Sequence, residues 1–452
     1  MDWIVAGILV LIGAGLALSR SGYMIDYVLV VYVFNRGLRR VLDYYAGAFN
    51  PLSPVSLAPL IITGLMMLPL LQSIGTLPKS SKTILYCLFG AIGYGFLIGF
   101  VRVKFAAIYS LGEVLAPIAM FGYILILGAN QQTKDRWLRT AAWCAIGASA
   151  YGWYQYLTIP PWDAFWVRAV GMEGYLGILE PMKISVFSTM AERGVLGGFL
   201  GFAVVPMILS PKWRTSLGWI GVLLVISNIL LAQTRTGMIL AGLSVMIYVM
   251  VNKGTGFLQM AIAFVVITAA AWFGMSRMPG ADKLADRFST IGNIQEDGSF
   301  KGRMDIYAYS MTSILLNPIG YGLGATGISS RINAGGSEGG AVITDAGYVE
   351  IVAAYGWIGA GLILYALWCM WKQLALRNRM GYRPSEVMLG RAFMIALIPA
   401  CFVGNVITSF SILWIVFGAA LCPKALRTFV LRMQLMQKAR AAAAAPAAGQ
   451  PI

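Results

Sequence analysis

Four features of this chain put residues able to do chemistry beside long apolar stretches. Arg235 stands in QTRTG, a lone cation in a very short break between two apolar runs. Arg303 lies in GRMDIY, and Tyr307 follows it one helical turn on, where i and i+4 share a face. Asp345 opens DAGYVEIVAAYGWIG with Tyr348 and Tyr355 on its face, whereas Glu350 points about 140° away by the 3.6-residue period. Arg168 sits in PPWDAFWVRAVG among Trp162, Phe165 and Trp166.

Each has a plain structural reading: a snorkelling side chain for Arg235, a surface pair for Arg303, a helix N-cap for Asp345, and an interfacial aromatic belt around Arg168. Together they point to an anion. Arginine stays charged, and its planar fork pairs phosphate oxygens two at a time, so several arginines at one mouth suit a diphosphate. Asp345 and Glu350 diverge on their helix, so a paired-acid glycosidase arrangement is not supported.

The elements that must position these residues are apolar helices. Hydrophobic residues make up 59% of the 452-residue chain and charged ones 12%, with a mean hydropathy of +0.75. Soluble domains carry about a quarter charged residues, so the surface is built for lipid. Apolar segments fall near 3–18, 24–34, 58–77, 83–101, 105–128, 140–157, 193–210, 216–232, 237–251, 256–274, 348–371, 392–407 and 409–422. The expected fold is an all-α polytopic membrane protein of about 12 transmembrane helices, since helices satisfy their own backbone in lipid. Residues 1–422 would form a single bundle and 423–452 a basic cytoplasmic tail ending in a low-complexity, mobile AAAAAPAAGQPI segment. The first segment lacks a basic lead and reads as a retained span.

The net charge of +16 is spread over short breaks and the C-terminal end, including Arg36, Arg39 and Arg40, Lys134 to Arg139, and Lys372 to Arg391. That is the positive-inside pattern, and no nucleic-acid partner is expected. Placing 129–139, 211–215, 252–255, 372–391 and the tail inside puts 158–192, 233–236 and 275–347 outside. Between 35 and 128 this parity does not close. The loop 275–347 would lie in the periplasm and hold a short helix ended by Asn317-Pro318, with glycine-rich mobile flanks at Gly320–Gly327 and Gly335–Gly340. None of the five cysteines has metal-ligand spacing, and there is no histidine; neither metal nor other cofactor is expected.

The run GRMDIYAYSMTSILLNPIGYGLG, followed after an insert by DAGYVEIVAAYGWIGAGLILY, resembles the conserved part of the O-antigen ligase and Wzy-type polysaccharide repeat-unit polymerase superfamily. QTRTGMILA resembles its upstream arginine loop, and VFSTMAERGVLGGFLGF its middle region. The resemblance implies a metal-independent glycosyltransferase of the bacterial cytoplasmic (inner) membrane, polymerising undecaprenyl-diphosphate-linked oligosaccharide repeat units at the periplasmic face into exopolysaccharide or O-antigen. Arg235 and Arg303 would hold the lipid diphosphate, and Arg168, Tyr307 and Tyr348 would contact substrate. A chain-length regulator and export machinery are the partners it implies. Ligases of the superfamily carry a histidine where this chain has Asp345, which would accept or orient the proton of the attacking hydroxyl. The missing histidine favours polymerase over ligase. A flippase or secondary transporter is the alternative of another class, and Glu113, the one acid reading as mid-span, favours it; a non-catalytic scaffold is the third.

Overall fold

The computed structural model describes residues 1–50, 53–173, 175–252, 316–325, 347–405 and 412–444, with the isolated positions 262, 265, 269, 273, 304, 305, 307, 308 and 407. It is helical, and its described helices are α1 (Asp2–Leu18), α2 (Tyr23–Ala46), α3 (Pro54–Ser73), α4 (Lys79–Val103), α5 (Phe105–Leu127), α6 (Gln131–Thr158) and α7 (Pro161–Ala169). There follow α8 (Arg193–Leu209), α9 (Gly218–Leu231), α10 (Arg235–Asn252), α11 (Gly347–Arg379), α12 (Ser385–Val403), α13 (Ile412–Leu421) and α14 (Pro423–Ala444).

Among the described residues, six stretches are long and apolar enough to cross a membrane: Pro54–Thr76, Lys79–Val103, Ala106–Leu127, Gly347–Arg379, Ser385–Phe402 and Ile412–Gln437. Shorter apolar helices are Asp2–Leu18, Arg193–Leu209, Gly218–Leu231 and Gly237–Val251. The architecture is that of a multi-pass membrane protein. Of the dozen spans expected, six meet the length and apolarity of a crossing helix, and most of 256–274 and of the loop 275–347 lies outside the described residues. The low-complexity end is helical through Ala444, as alanine favours, and residues 445–452 lie outside the described ones.

From α1 to α6 the helices alternate in direction, giving the bundle two ends, face A and face B. At face A, Arg136 pairs with Asp26 at 2.9 Å, Trp213 donates to Asp135 at 2.7 Å, and Lys134 pairs with Glu386 at 3.2 Å. At face B, Ser53 donates to Asp2, and Arg40 pairs with Asp163. The chain reverses between α4 and α5 at Lys104 alone, whose φ of 42° is left-handed, and the returning helix brings Gly122 against Leu70 and Leu85.

The structure corrects two expectations at α2. The second apolar segment does not end at residue 34, because α2 continues to Ala46, where Gly47 turns left-handed at φ 69°. Arg36, Arg39 and Arg40 are therefore helical residues near face B and not part of a loop. The helix accommodates them because each guanidinium has a carboxylate: Glu113, Asp43 and Asp163 respectively.

Prolines inside spans are compensated locally. Pro59 has no N–H to give the carbonyl of Val55, and Asn35 Nδ2 donates to that oxygen at 2.8 Å. The core centres on α13, every residue of which is buried. At about 1.5 Å per residue its ten residues span about half of a bilayer's hydrocarbon core.

Candidate functional site

The polar groups of face B start with one helix. Arg36, Arg39 and Arg40 are spaced i, i+3 and i+4 on α2, which brings them to one side. Arg40 is 1% exposed, and its Nε pairs with Asp163 Oδ1 at 3.2 Å. Its guanidinium lies over the rings of Phe187 and Trp166, at 4.8 and 5.7 Å, and donates to the carbonyl of Ser188. Asp163 Oδ2 accepts from Gln155 Nε2 at 2.6 Å and from the Tyr151 hydroxyl at 2.9 Å. Gln155 Oε1 accepts the backbone N–H groups of Phe187 and Ser188. Burial pushes the Asp163 carboxyl above its ordinary range, against the pull of Arg40, Gln155 and Tyr151. This network fastens the segment between α6 and α8 onto the bundle.

Beside it, α8 and α10 begin together. A β-carbon at Gly197 would stand 1.8 Å from Thr234 Oγ1, and one at Gly201 would stand 2.6 Å from the Gly237 carbonyl. Only glycines allow the two helices to lie this close. Both N-termini, where unpaired N–H groups favour negative charge, thus open side by side at face B. Arg193 Nη1 reaches Ser185 Oγ at 3.5 Å, Ser185 donates to Gln233 at 2.9 Å, and Arg193 lies 4.3 Å over the Tyr175 ring. Arg235 is the first residue of α10, two positions beyond Gln233.

The glycine-rich turn overturns another expectation. Residues 320–324 are pinned between helices and are not a mobile flank. Tyr321 N–H donates to Ala353 O at 2.7 Å, Leu323 N–H to Gly95 O at 2.9 Å, and Arg102 to Gly320 O at 2.9 Å. Gly320, Gly322 and Gly324 have φ of 84°, 89° and 82°, and each abuts backbone of a neighbouring helix. The alternating glycines serve close approach. On α11 the opposing residue is Gly356, with φ 59° and ψ −172°, which breaks the helix so that Trp357 N–H can donate to Pro318 O.

Of the residues singled out from sequence, Tyr307 stacks on Phe402 at 4.9 Å and donates to its carbonyl, while the Tyr348 hydroxyl donates to Ile398 O. Both sit against the face-B end of α12. Tyr355 shares a helix face with Tyr348 yet packs on Gly95 of α4. Arg168 is exposed, 3.5 Å from Glu173, and lines a cleft of about 610 Å³ with Tyr44, Pro161, Ala164, Phe165 and Ala169. Arg303, Asp345 and the side chain of Arg235 lie outside the described residues.

The glycine turn, the α10 start and the first part of α11 fall within one stretch that comparison with known families picks out. Residues 220–366 match the O-antigen ligase family. The resemblance carried by the arginine-bearing and glycine-rich motifs is thereby shown, and the match runs from α9 across Arg235, Arg303 and Asp345 into α11. No curated protein matches the chain. This match is consistent with the O-antigen ligase and Wzy superfamily, whose members are enzymes acting on polysaccharide-lipid substrates.

Sequence reasoning missed Arg36, Arg40, Asp163 and Arg193. A signal existed for the first two, since three arginines at helical spacing directly continue an apolar helix. Their partners lie far along the chain, and nothing local announces them.

Proposed function

We propose that this enzyme is a repeat-unit polymerase of the bacterial cytoplasmic membrane. A growing glycan, carried on undecaprenyl diphosphate, is transferred to a hydroxyl of the next lipid-linked unit. The acceptor oxygen bonds to the anomeric carbon, the bond from that carbon to the diphosphate breaks, and the lipid diphosphate leaves with the electron pair.

The observation that carries this reading is the paired opening of α8 and α10 at face B, with Arg193 held beside the helix that Arg235 begins. Positive helix ends and guanidinium groups are what a departing diphosphate needs, and fixed charges aimed at developing charge are often the largest catalytic term. Arg235 and Arg303 are the residues assigned to the diphosphate. Asp345, just ahead of α11, orients the acceptor hydroxyl, and Tyr307, Tyr348 and Arg168 line the approach of the sugars. The face-A helix ends and short connections carry Lys79, Lys82, Lys212, Arg214, Arg379 and Arg383, so the positive-inside rule assigns face A to the cytoplasm and face B to the periplasm. A chain-length regulator and export machinery would meet the protein there.

The family description, O-antigen ligase, supports a second reading, transfer of a finished glycan to another lipid or to a protein. The absence of histidine from the chain favours the polymerase. Purified protein in proteoliposomes, given single undecaprenyl-diphosphate-linked repeat units, should yield a ladder of lengths. One product of unit length on a foreign acceptor would establish the ligase, and movement of intact lipid-linked units across the bilayer without any new glycosidic bond would establish a flippase.

A further inference from the structure

Glu113 is an acid inside an apolar helix. It lies eight residues past Phe105, the start of α5, which is about 12 Å below the helix end at 1.5 Å per residue. An ionisable group at such depth is costly and is kept where it has work to do. One structural role is visible, since Arg36 Nη2 meets Glu113 Oε1 at 3.2 Å.

Charge compensation alone does not account for the setting. The two side chains keep 41% and 35% of their surface accessible, although α2 and α5 are both packed against α3. Phe121 packs edge-on against Trp414 and Gly418 abuts Ile124, so α5 and α13 run alongside, and Glu113 stands two turns nearer face B than that contact. The Tyr109 hydroxyl bonds to Glu113 one turn away, and Gly37, next to Arg36 on α2, packs against Thr189 ahead of α8. Beyond that segment Arg193 reaches Ser185, which donates to Gln233 at the α10 start. An accessible carboxylate thus stands beside Arg36 on the helices that pack against the segment leading into α8 and the α10 start.

We propose that Glu113, oriented by Arg36 and Tyr109, is the catalytic base of the transfer: its carboxylate receives the proton of the acceptor hydroxyl as that oxygen bonds to the anomeric carbon. This deepens the glycosyl-transfer reading and rests on it. The electron pair of the broken anomeric bond leaves with the lipid diphosphate, and the proton on Glu113 is released to water at face B. Asp345 then orients the hydroxyl without taking its proton, and Arg36 is a positioning residue.

The test uses the full chain in proteoliposomes with the undecaprenyl-diphosphate-linked repeat unit, following initial rates between pH 5 and 9. Glu113→Gln should lower kcat by about 10²–10⁴-fold, the range of a lost general base, leave KM for the lipid-linked unit within about threefold, and abolish the acidic limb of the rate profile. Glu113→Asp should restore part of the rate with that limb. The double variant Arg36→Met/Glu113→Gln removes both charges, so a purely structural pair predicts recovery of activity, whereas a base predicts none. Recovery in the double variant, or a Glu113→Gln enzyme with wild-type rate and acidic limb, overturns the proposal while leaving glycosyl transfer intact. A wild-type chain that forms no glycosidic bond from the lipid-linked unit removes the underlying reading and this one with it.

Discussion

Gly322 is pressed against Gly99: a β-carbon at position 322 would stand 2.1 Å from the Gly99 nitrogen and 2.4 Å from its α-carbon. Gly322 also holds φ at 89°, which an L side chain adopts only with strain. Gly322→Ala should therefore destabilise the protein by about 2 kcal/mol or more, combining left-handed strain with overpacking. Thermal unfolding of the purified protein in detergent measures this, and a melting temperature equal to wild type would show that the turn is not clamped on α4.

Arg40 and Asp163 form the second prediction. Removing one member of a buried ion pair strands the other, at a cost of about 3–5 kcal/mol. Asp163→Ala should lower stability by that order and free the segment between α6 and α8, which limited proteolysis between residues 170 and 185 would register. Arg40→Met/Asp163→Leu should recover much of the loss, because two apolar groups leave no buried charge unpaired. If the double variant is as unstable as the single, the hydrogen bonds of Gln155 and Tyr151, and not the ion pair, hold the segment.

Much of the fold was legible because lipid imposes a simple rule, long apolar runs with polar breaks, and α3, α4, α5 and α11 follow it. The rule failed at α2. Arg36, Arg39 and Arg40 interrupt the hydropathy and imitate a basic loop, yet their charges are met by Glu113, Asp43 and Asp163. Compensation by a residue far along the chain leaves no local trace. The glycine turn misled for a related reason, since glycine serves both flexibility and close backbone approach, and only the neighbours at Gly99 and Gly356 decide between them. At the site, the arginine motifs were legible as types and spacings; the join of α8 to α10 through Gly197, Gly201 and Gly237 was not.

Topology offers a third prediction. In a background lacking the native cysteines, Lys104→Cys and Arg168→Cys place thiols at face B, and Lys79→Cys and Arg383→Cys place them at face A. A membrane-impermeant maleimide added to intact spheroplasts should label the first pair and leave the second unlabelled until lysis. Labelling of Lys79→Cys together with Arg168→Cys in intact cells would contradict the antiparallel course from α4 to α7.

Arg235 gives the prediction closest to the chemistry. It begins α10, next to the Ser185–Gln233 contact at 2.9 Å that Arg193 approaches. If it stabilises a leaving diphosphate, Arg235→Ala should cut transfer by about 10²–10³-fold, the scale of losing one donor aimed at developing charge. Lysine supplies the charge without the planar fork, so Arg235→Lys should recover only part of the rate. The same pair of substitutions at Arg303 should behave alike if both grip one diphosphate, and the double alanine variant should then fall short of the product of the two losses. Polymer length and initial rate, read at matched protein levels in membranes, test each point. Full multiplicativity would mean that the two arginines act on separate groups, and wild-type polymer from either alanine variant would take that residue out of the mechanism.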